Sequence, residues 1–182
     1  LNRRAETLAN LAQYDSALCY VRSGITLLRT KPKSNSINVK KVLTNSLFLL
    51  SQTLFQLSEY DSSIYYCLES IRLAKELGDR WGTVNGDFQL ASVYLSLKKY
   101  DEAIELFLIC APALRELQRY KDMIICFINA AEAYRSSHRF EAAISYCDSV
   151  ILLSKQYDEP DLLCDSYHTL GCIDLENKNY TS

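Results

Sequence analysis

Apolar residues recur along the chain at helical spacing, and polar residues fill the opposite face. Leu1, Ala5, Leu8 and Leu11 share one stripe, and Ala17, Leu18, Val21, Ile25 and Leu28 form the next, with a turn at Gln13-Tyr14-Asp15 between them. Val42, Leu43, Leu47, Leu50 and Leu54 mark a helix over about residues 38–57. Ile64, Cys67, Leu68, Ile71 and Ala74 mark its partner, which starts at Asp61. Further pairs run over about 81–97 and 101–117, then 121–136 and 141–156. A last stripe holds Leu163, Tyr167, Leu170, Gly171 and Leu175 and follows Pro160, a residue that suits the first turn of a helix. No stretch between turn signals alternates in the way a strand requires. The expectation is about nine helices and no strand.

The punctuation between the stripes agrees. Asp15 reads as a helix cap, Gly78 as a C-terminal stop and Asp79 as the next cap. Pro112 falls inside a helix, lacks an N–H and clashes with the Leu108 carbonyl, so a kink is expected there. Residues 30–36 are the one real loop. Lys31, Lys33, Lys40 and Lys41 cluster around it and read as a solvated linker rather than a binding patch.

The helices come in repeating pairs. Tyr100-Asp101-Glu102-Ala103-Ile104 recurs with drift as Tyr14-Asp15-Ser16-Ala17-Leu18, Tyr60-Asp61-Ser62-Ser63-Ile64 and Phe140-Glu141-Ala142-Ala143-Ile144, and begins again at Tyr180. Tyr60, Tyr100, Phe140 and Tyr180 are evenly spaced, and the loop stretches only the first interval, Tyr14 to Tyr60. A fixed period of about 40 residues lies in the range that marks a solenoid. The fold expected is all-α, a right-handed superhelical solenoid of antiparallel helix pairs. It forms a single array over 1–182, with repeats at about 1–31, 38–77, 79–118, 120–157 and a truncated 160–182. Small residues at Ala17, Ser63, Ala103 and Ala143 let paired helices approach, and the aromatics at 14, 60, 100 and 140 wedge the turns.

Composition narrows the function. Net charge is −2, which leaves no electrostatic footprint for nucleic acid. No apolar run reaches the ~18 residues that a membrane-spanning helix needs. The seven cysteines form no C-x-x-C pair, and their odd count argues against a disulfide framework. That points to a reducing, cytoplasmic setting, with a periplasmic sensor segment of a membrane-anchored protein as the alternative. Cys164, His168 and Cys172, beside Asp165, lie four residues apart on one helix. Three ligands on one straight helix cannot converge tetrahedrally on zinc, so they are read as groove or packing residues and no metal is expected. His138 reads as a solvated turn residue. The chain has only five glycines and no phosphate-binding loop, so neither cofactor nor catalytic set is expected, and the segment is read as no enzyme.

The pairs also carry a family pattern: Leu-Gly and then an aromatic three residues on in the first helix, Tyr-Asp-x-Ala at the turn, and a large apolar followed by a small residue in the second. The third repeat reads Leu90-Ala91, Tyr94, Tyr100, Ala103, Phe107, Cys110, and the fourth Ala130-Ala131, Tyr134, Phe140, Ala143, Cys147. The fifth shows Leu170-Gly171 and Tyr180, the second Leu50-Ser51, Leu54, Tyr60, Ser63, Cys67, and the first keeps Ala5, Tyr14, Ala17, Val21 and Gly24. In this the chain resembles the tetratricopeptide repeat family over nearly its whole length. Its period exceeds the family's usual length of about 34. The longer form resembles the repeats of Rap-type regulators, Leu-Gly-Asn repeat adaptors and bacterial sensor proteins. The junction Glu76-Leu77-Gly78-Asp79-Arg80 is similar to their linkers.

The resemblance implies that first helices line a concave, peptide-binding face. Carried over, that face comprises Asn45, Phe48, Leu49, Gln52 and Phe55 in the second repeat and Asn85, Phe88, Gln89, Ser92 and Leu95 in the third. The fourth adds Ile125, Ile128, Asn129, Glu132 and Arg135, and the fifth Asp165, His168, Thr169, Cys172 and Leu175. Amides suit a peptide backbone and aromatics its side chains. Phe48, Phe55 and Phe88 line the groove or are buried between helices; both readings stay open. Arg135 is the one basic residue of the set, so the cationic clamp of carboxylate-binding chaperone adaptors is absent.

Two functions follow. One is a protein–protein interaction scaffold that binds a peptide or helix, as part of a larger regulatory protein. The other is a sensory module of a signalling kinase or transcription regulator. A regulatory phosphatase would need an acidic and amide catalytic set, and none is identified. The chain starts at Leu1 and its fifth repeat stops where a second helix is due, so it reads as part of a longer protein, with an uncovered edge at Leu163, Leu170 and Leu175 available for self-association.

Overall fold

The structure, a computed structural model, describes residues 14–30 and 36–180. Eight α-helices stand among them: α1 (Tyr14–Thr30), α2 (Ile37–Gln56), α3 (Tyr60–Glu76), α4 (Arg80–Ser96), α5 (Tyr100–Glu116), α6 (Tyr120–Ser136), α7 (Phe140–Gln156) and α8 (Leu163–Tyr180). A single 3₁₀ turn, Pro160–Leu162, leads into α8 and places the proline at its start. The ninth expected helix, Leu1–Leu11, and residues 31–35 of the loop lie outside the described residues. No strand occurs among the described residues.

The helix starts differ from expectation by one residue. α3, α5 and α7 begin at the aromatic itself, so Asp61, Asp101 and Glu141 sit in the first turn, where a carboxylate faces the positive end of the helix dipole. Asp79 does cap α4: its Oδ1 accepts from the Gly82 N–H at 2.9 Å. Ser36 caps α2 by accepting from the Val39 N–H at 3.3 Å. Helix α5 runs unbroken through Pro112.

What stops the helices is a repeated backbone device. Ser58, Gly78, Lys98, Gln118, His138 and Asp158, evenly spaced along the chain, all carry positive φ, between 56° and 66°. Each of the first five donates its N–H to the carbonyl three residues back, and the next residue donates to the carbonyl five back. At the second of these junctions the pair is Gly78 to Lys75 (3.1 Å) and Asp79 to Ala74 (2.9 Å); at the fourth it is Gln118 to Arg115 (3.0 Å) and Arg119 to Leu114 (2.9 Å). This Schellman closure uses up carbonyls that a helix end would leave bare. Only Gly78 is a glycine, so the other five stops had no glycine signal in the sequence. No such turn precedes Tyr180, and α8 runs on to that residue. A left-handed residue other than glycine costs about 1–2 kcal/mol. That cost is met where a following helix folds back, as α6 does on α5 and α7 on α6.

Packing divides the chain into two compact units, residues 1–93 and 94–182. In the first, Leu18, Val21 and Ile25 of α1 pack with Leu47, Leu50 and Leu54 of α2 and Leu73 of α3. Between α2 and α3 the crossing is polar. Ser63 Oγ donates to the Ser51 carbonyl at 2.8 Å, and Ser70 Oγ donates to the Thr44 carbonyl at 3.0 Å. Ser63 stands where other repeats have alanine, and the hydrogen bonds satisfy both buried hydroxyls. Between α3 and α4 the approach is closest at Gly86. A Cβ there would collide with Ile71 Cγ1, and the Gly86 carbonyl accepts from the Cys67 thiol at 3.2 Å. In the second unit, α6 packs against α5, α7 and α8. Its core is Phe107 and Cys110 of α5, Ile124 and Cys126 of α6, Cys147 and Val150 of α7, and Ile173 of α8. Ala103 and Ala143 are fully buried, as a close-approach position requires.

Two stability measurements check this account. Gly86→Ala should lower stability by about 1–3 kcal/mol through overpacking, whereas Gly171→Ala, with nothing within 4 Å of the added methyl, should raise it by about 0.5–1 kcal/mol as a helix-interior glycine removed. Urea midpoints that move the same way in both variants would refute the close approach at Gly86. Separately, Gln118→Gly should stabilise by about 0.5–1 kcal/mol, because glycine takes the left-handed conformation without a Cβ penalty but gives part of the gain back as unfolded-state entropy.

Candidate functional site

The face expected to bind a partner lies on the first helix of each pair, and each unit presents two such helices. In the first unit, α2 buries Thr44, Leu47, Leu50, Ser51 and Leu54. At 3.6 residues per turn, Asn45, Phe48, Gln52 and Phe55 then fall within roughly 80° of one another on another face. Asn45 and Gln52 are exposed, and Phe48, Leu49 and Phe55 are half-buried or buried at their edges. The Phe55 ring lies 6.0 Å from that of Tyr60, so this phenylalanine leans on the wedge residue of the following turn. On α4, Asn85, Phe88, Ser92 and Leu95 are half-buried, and Ser92 Oγ donates to the Phe88 carbonyl at 3.0 Å. Gln89 is only 7% exposed and its Nε2 has no partner among the described residues, which places it in the packing rather than on an open face.

In the second unit, Ile125, Ile128, Asn129, Glu132 and Arg135 of α6 are all half-buried. Arg135 is engaged from two sides. Its Nε donates to Glu132 Oε2 at 2.9 Å, and its Nη1 pairs with Glu176 of α8. Ser136 Oγ donates to Glu132 Oε1 at 3.1 Å. The hydrogen bond to Glu132, with the charges of Glu132 and Glu176, holds the guanidinium firmly protonated. Its charge is therefore met within the protein and joins α6 to α8. On α8, Asp165 and His168 are exposed, Thr169 is buried with its hydroxyl on the Asp165 carbonyl at 3.0 Å, and Leu175 is 64% exposed. Cys172 Sγ lies 3.8 Å from His168 Nε2. No group of three His, Cys, Asp or Glu side chains gathers around a common point among the described residues.

Asn45, Gln52, Asn85 and Asn129 make no side-chain hydrogen bond to a described residue. The four buried thiols behave as hydrophobes. Burial pushes Cys67 up to about 12 and Cys147 up to about 11, so neither is a nucleophile at neutral pH. Half-buried Asp87 on α4 is raised by desolvation, which Lys75 only partly offsets.

Sequence reasoning missed the ion pairs that tie successive repeats. Arg139 pairs with Asp101 at 2.8 Å and lies 4.9 Å from the Tyr134 ring centre. Lys121 pairs with Glu159 at 2.8 Å. Both pairs span the same sequence distance, with the signs exchanged, between the first turn of one helix and the residue that precedes another element two helices later. Opposite charges at that offset were the available signal.

Comparison with known proteins agrees with this geometry. The tetratricopeptide repeat family model matches residues 88–122. No curated protein matches the chain in sequence. Among solved structures, a putative kinesin light chain of Podosopora anserina with nearly identical TPR-like repeats superposes with a TM-score of 0.78 at 13% identity, covering 98% of this chain and 85% of that one. A Rap protein complexed with Competence and Sporulation Factor gives 0.72 at 12% identity, covering 94% and 52%. The Signal Transduction ATPase with Numerous Domains from Pyrococcus horikoshii, which has a tetratricopeptide repeat sensor, gives 0.74 at 19%, covering 90% and 24%. This chain spans about half the length of the Rap protein and a quarter of the ATPase. The fold is thus that of the TPR-like helical-repeat proteins, as the sequence pattern implied, and one stretch matches the family model itself. Such repeats serve typically as non-catalytic scaffolds for protein–protein interaction. No helix among the described residues is long and apolar enough to cross a membrane.

The raised Asp87 carboxyl gives a pH test. Its folded pKa lies above the unfolded one, so the ionised form costs stability at neutral pH, and that cost fades as pH falls through the folded value and then the unfolded value. Asp87→Asn should therefore raise the urea midpoint at pH 7 and lose this advantage in acid. A midpoint unchanged at pH 7 would contradict the desolvation.

Proposed function

We propose that the chain is an interaction scaffold whose first helices bind a peptide or helix of a partner protein, as part of a larger regulatory protein. The observation that carries the reading is the pairing, on α2, of exposed amides without partners among the described residues (Asn45, Gln52) with partly open aromatics one turn away (Phe48, Phe55). An amide can take both a donor and an acceptor from an extended backbone, and a partly open ring offers a seat for an apolar side chain. Asn85 and Phe88 repeat the arrangement on α4, and Asn129 offers an amide beside Ile125 and Ile128 on α6. Ser92 joins the proposed face of the first unit, and Glu132, Arg135 and His168 join that of the second, with Arg135 held by Glu132 and Glu176 rather than standing as a free cation. Fold similarity to the Rap protein complexed with Competence and Sporulation Factor supports ligand binding. Similarity to the repeat sensor of the ATPase supports the second reading, a sensory module that gates an effector. The seven free cysteines, four of them buried, favour a reducing, cytoplasmic setting.

The test is selection of binding peptides from a displayed random library against the chain. With a peptide so selected, Asn45→Ala combined with Gln52→Ala should weaken binding by about tenfold or more, the loss expected for a residue worth over about 1 kcal/mol at an interface. The urea midpoint should not move. Unchanged affinity in this variant and in Asn129→Ala would place binding on another surface.

A further inference from the structure

A second site lies away from the first-helix face. In the second unit, α5, α6 and α7 line a half-open pocket of about 460 Å³. Leu108 and Pro112 of α5, Phe127 of α6, and Tyr146 and Leu153 of α7 line it. None of these belongs to the face described above. The pocket is chemically graded. Along α5, Leu108 marks an apolar end and Arg115 a charged end, about 10 Å apart at the helical rise. Gln156, in the last turn of α7 as Arg115 is in the last turn of α5, adds an amide to the lining. Arg115 is exposed and has no anionic partner among the described residues, whereas Arg119 and Lys121 in the next turn are paired with Asp122 and Glu159. Tyr157 closes that end and is held in place by stacking on Tyr120, with ring centres 4.2 Å apart. Tyr146 is fixed between Phe127 and Tyr134, at 5.8 and 5.3 Å.

We propose that this pocket binds a small amphiphilic carboxylic acid, with its apolar body between Leu108, Phe127 and Leu153 and its carboxylate on Arg115 and Gln156. The volume is in the range of small-ligand sites, about 300–1,000 Å³, which pair apolar walls with a few convergent polar groups. Three features separate a small acid from a peptide. A single cation stands at one end. A single amide, that of Gln156, joins it in the lining. The walls carry no row of amides that could satisfy a main chain. The planar guanidinium matches a carboxylate in a bidentate fork.

The experiment compares octanoate with 1-octanol, which has the same chain length and no charge, by methyl NMR titration of the whole chain. Octanoate should shift the Leu108 and Leu153 methyls saturably and bind more tightly than 1-octanol. Arg115→Gln, an exposed substitution, should weaken octanoate about tenfold and bring it level with 1-octanol. Arg72→Gln, in the other unit, should change nothing. The proposal fails if Leu108 and Leu153 do not respond, if the Leu18 and Leu47 methyls of the first unit shift equally, or if Arg115→Gln leaves octanoate affinity intact. A peptide ending in Leu-Phe with a free carboxylate that binds the same methyls more tightly than octanoate would overturn it in favour of a peptide terminus. Peptide binding at Asn45 and Gln52 is indifferent to Arg115, so the two sites fail separately.

Discussion

The left-handed turn that recurs at the end of one helix after another is the constraint on which the rest depends. A helix allowed to run on would carry its apolar stripe away from its neighbour. At Ser58, Lys98, Gln118, His138 and Asp158 a side-chain-bearing residue accepts φ near +60° to stop it. The backbone hydrogen bonds of each closure recover part of the cost, and burial of the two helix faces recovers more. The turn also sets phase. Helices α3 to α7 are each 17 residues long, and α3, α5, α6 and α7 all enter with an aromatic at the first position. The ion pairs Asp101–Arg139 and Lys121–Glu159 inherit this register, since each joins the starts of two elements of the same kind.

Within that register the close approaches are solved in three ways. Ala103 and Ala143 present a methyl. Ser63 presents a hydroxyl that finds the Ser51 carbonyl, so a departure from the family pattern becomes a hydrogen bond instead of a defect. Gly86 presents nothing, because Ile71 occupies the space where its side chain would stand. The polar crossing between α2 and α3 gains in directionality what it forgoes in apolar burial. The buried cysteines fill gaps of the same size, and desolvation keeps them protonated.

Surface chemistry follows from which groups the fold leaves over. Arg135 looked like a groove cation in sequence, yet Glu132 beside it and Glu176 from α8 consume its charge. Gln89 looked like a groove amide, yet the helical phase of α4 turns it inward. Asn45 and Gln52 keep their hydrogen-bonding capacity for an external group. Arg115 does so too, at the end of a pocket built from the second helices of two repeats and the first helix between them. The two proposed binding modes, at an amide-rich face and at a graded apolar pocket, thus draw on separate residues.

The sequence by itself determined the helices, their pairing and their period, because apolar spacing at the helical repeat and the Tyr-Asp-x-Ala turn are local signals that survive drift. It also determined where small residues fall, as Ala103 and Ala143 show. Eight of the nine expected helices appear among the described residues, and the ninth lies outside them. Tertiary structure decided the rest. The stops at Gln118 and His138 have no glycine to announce them, since their left-handed backbone is imposed by the helix that packs back. Arg135 finds Glu176 on α8, and Arg139 finds Asp101 at the start of α5. The fate of a charge or an amide depends on such distant neighbours, and no pattern along a single helix contains them.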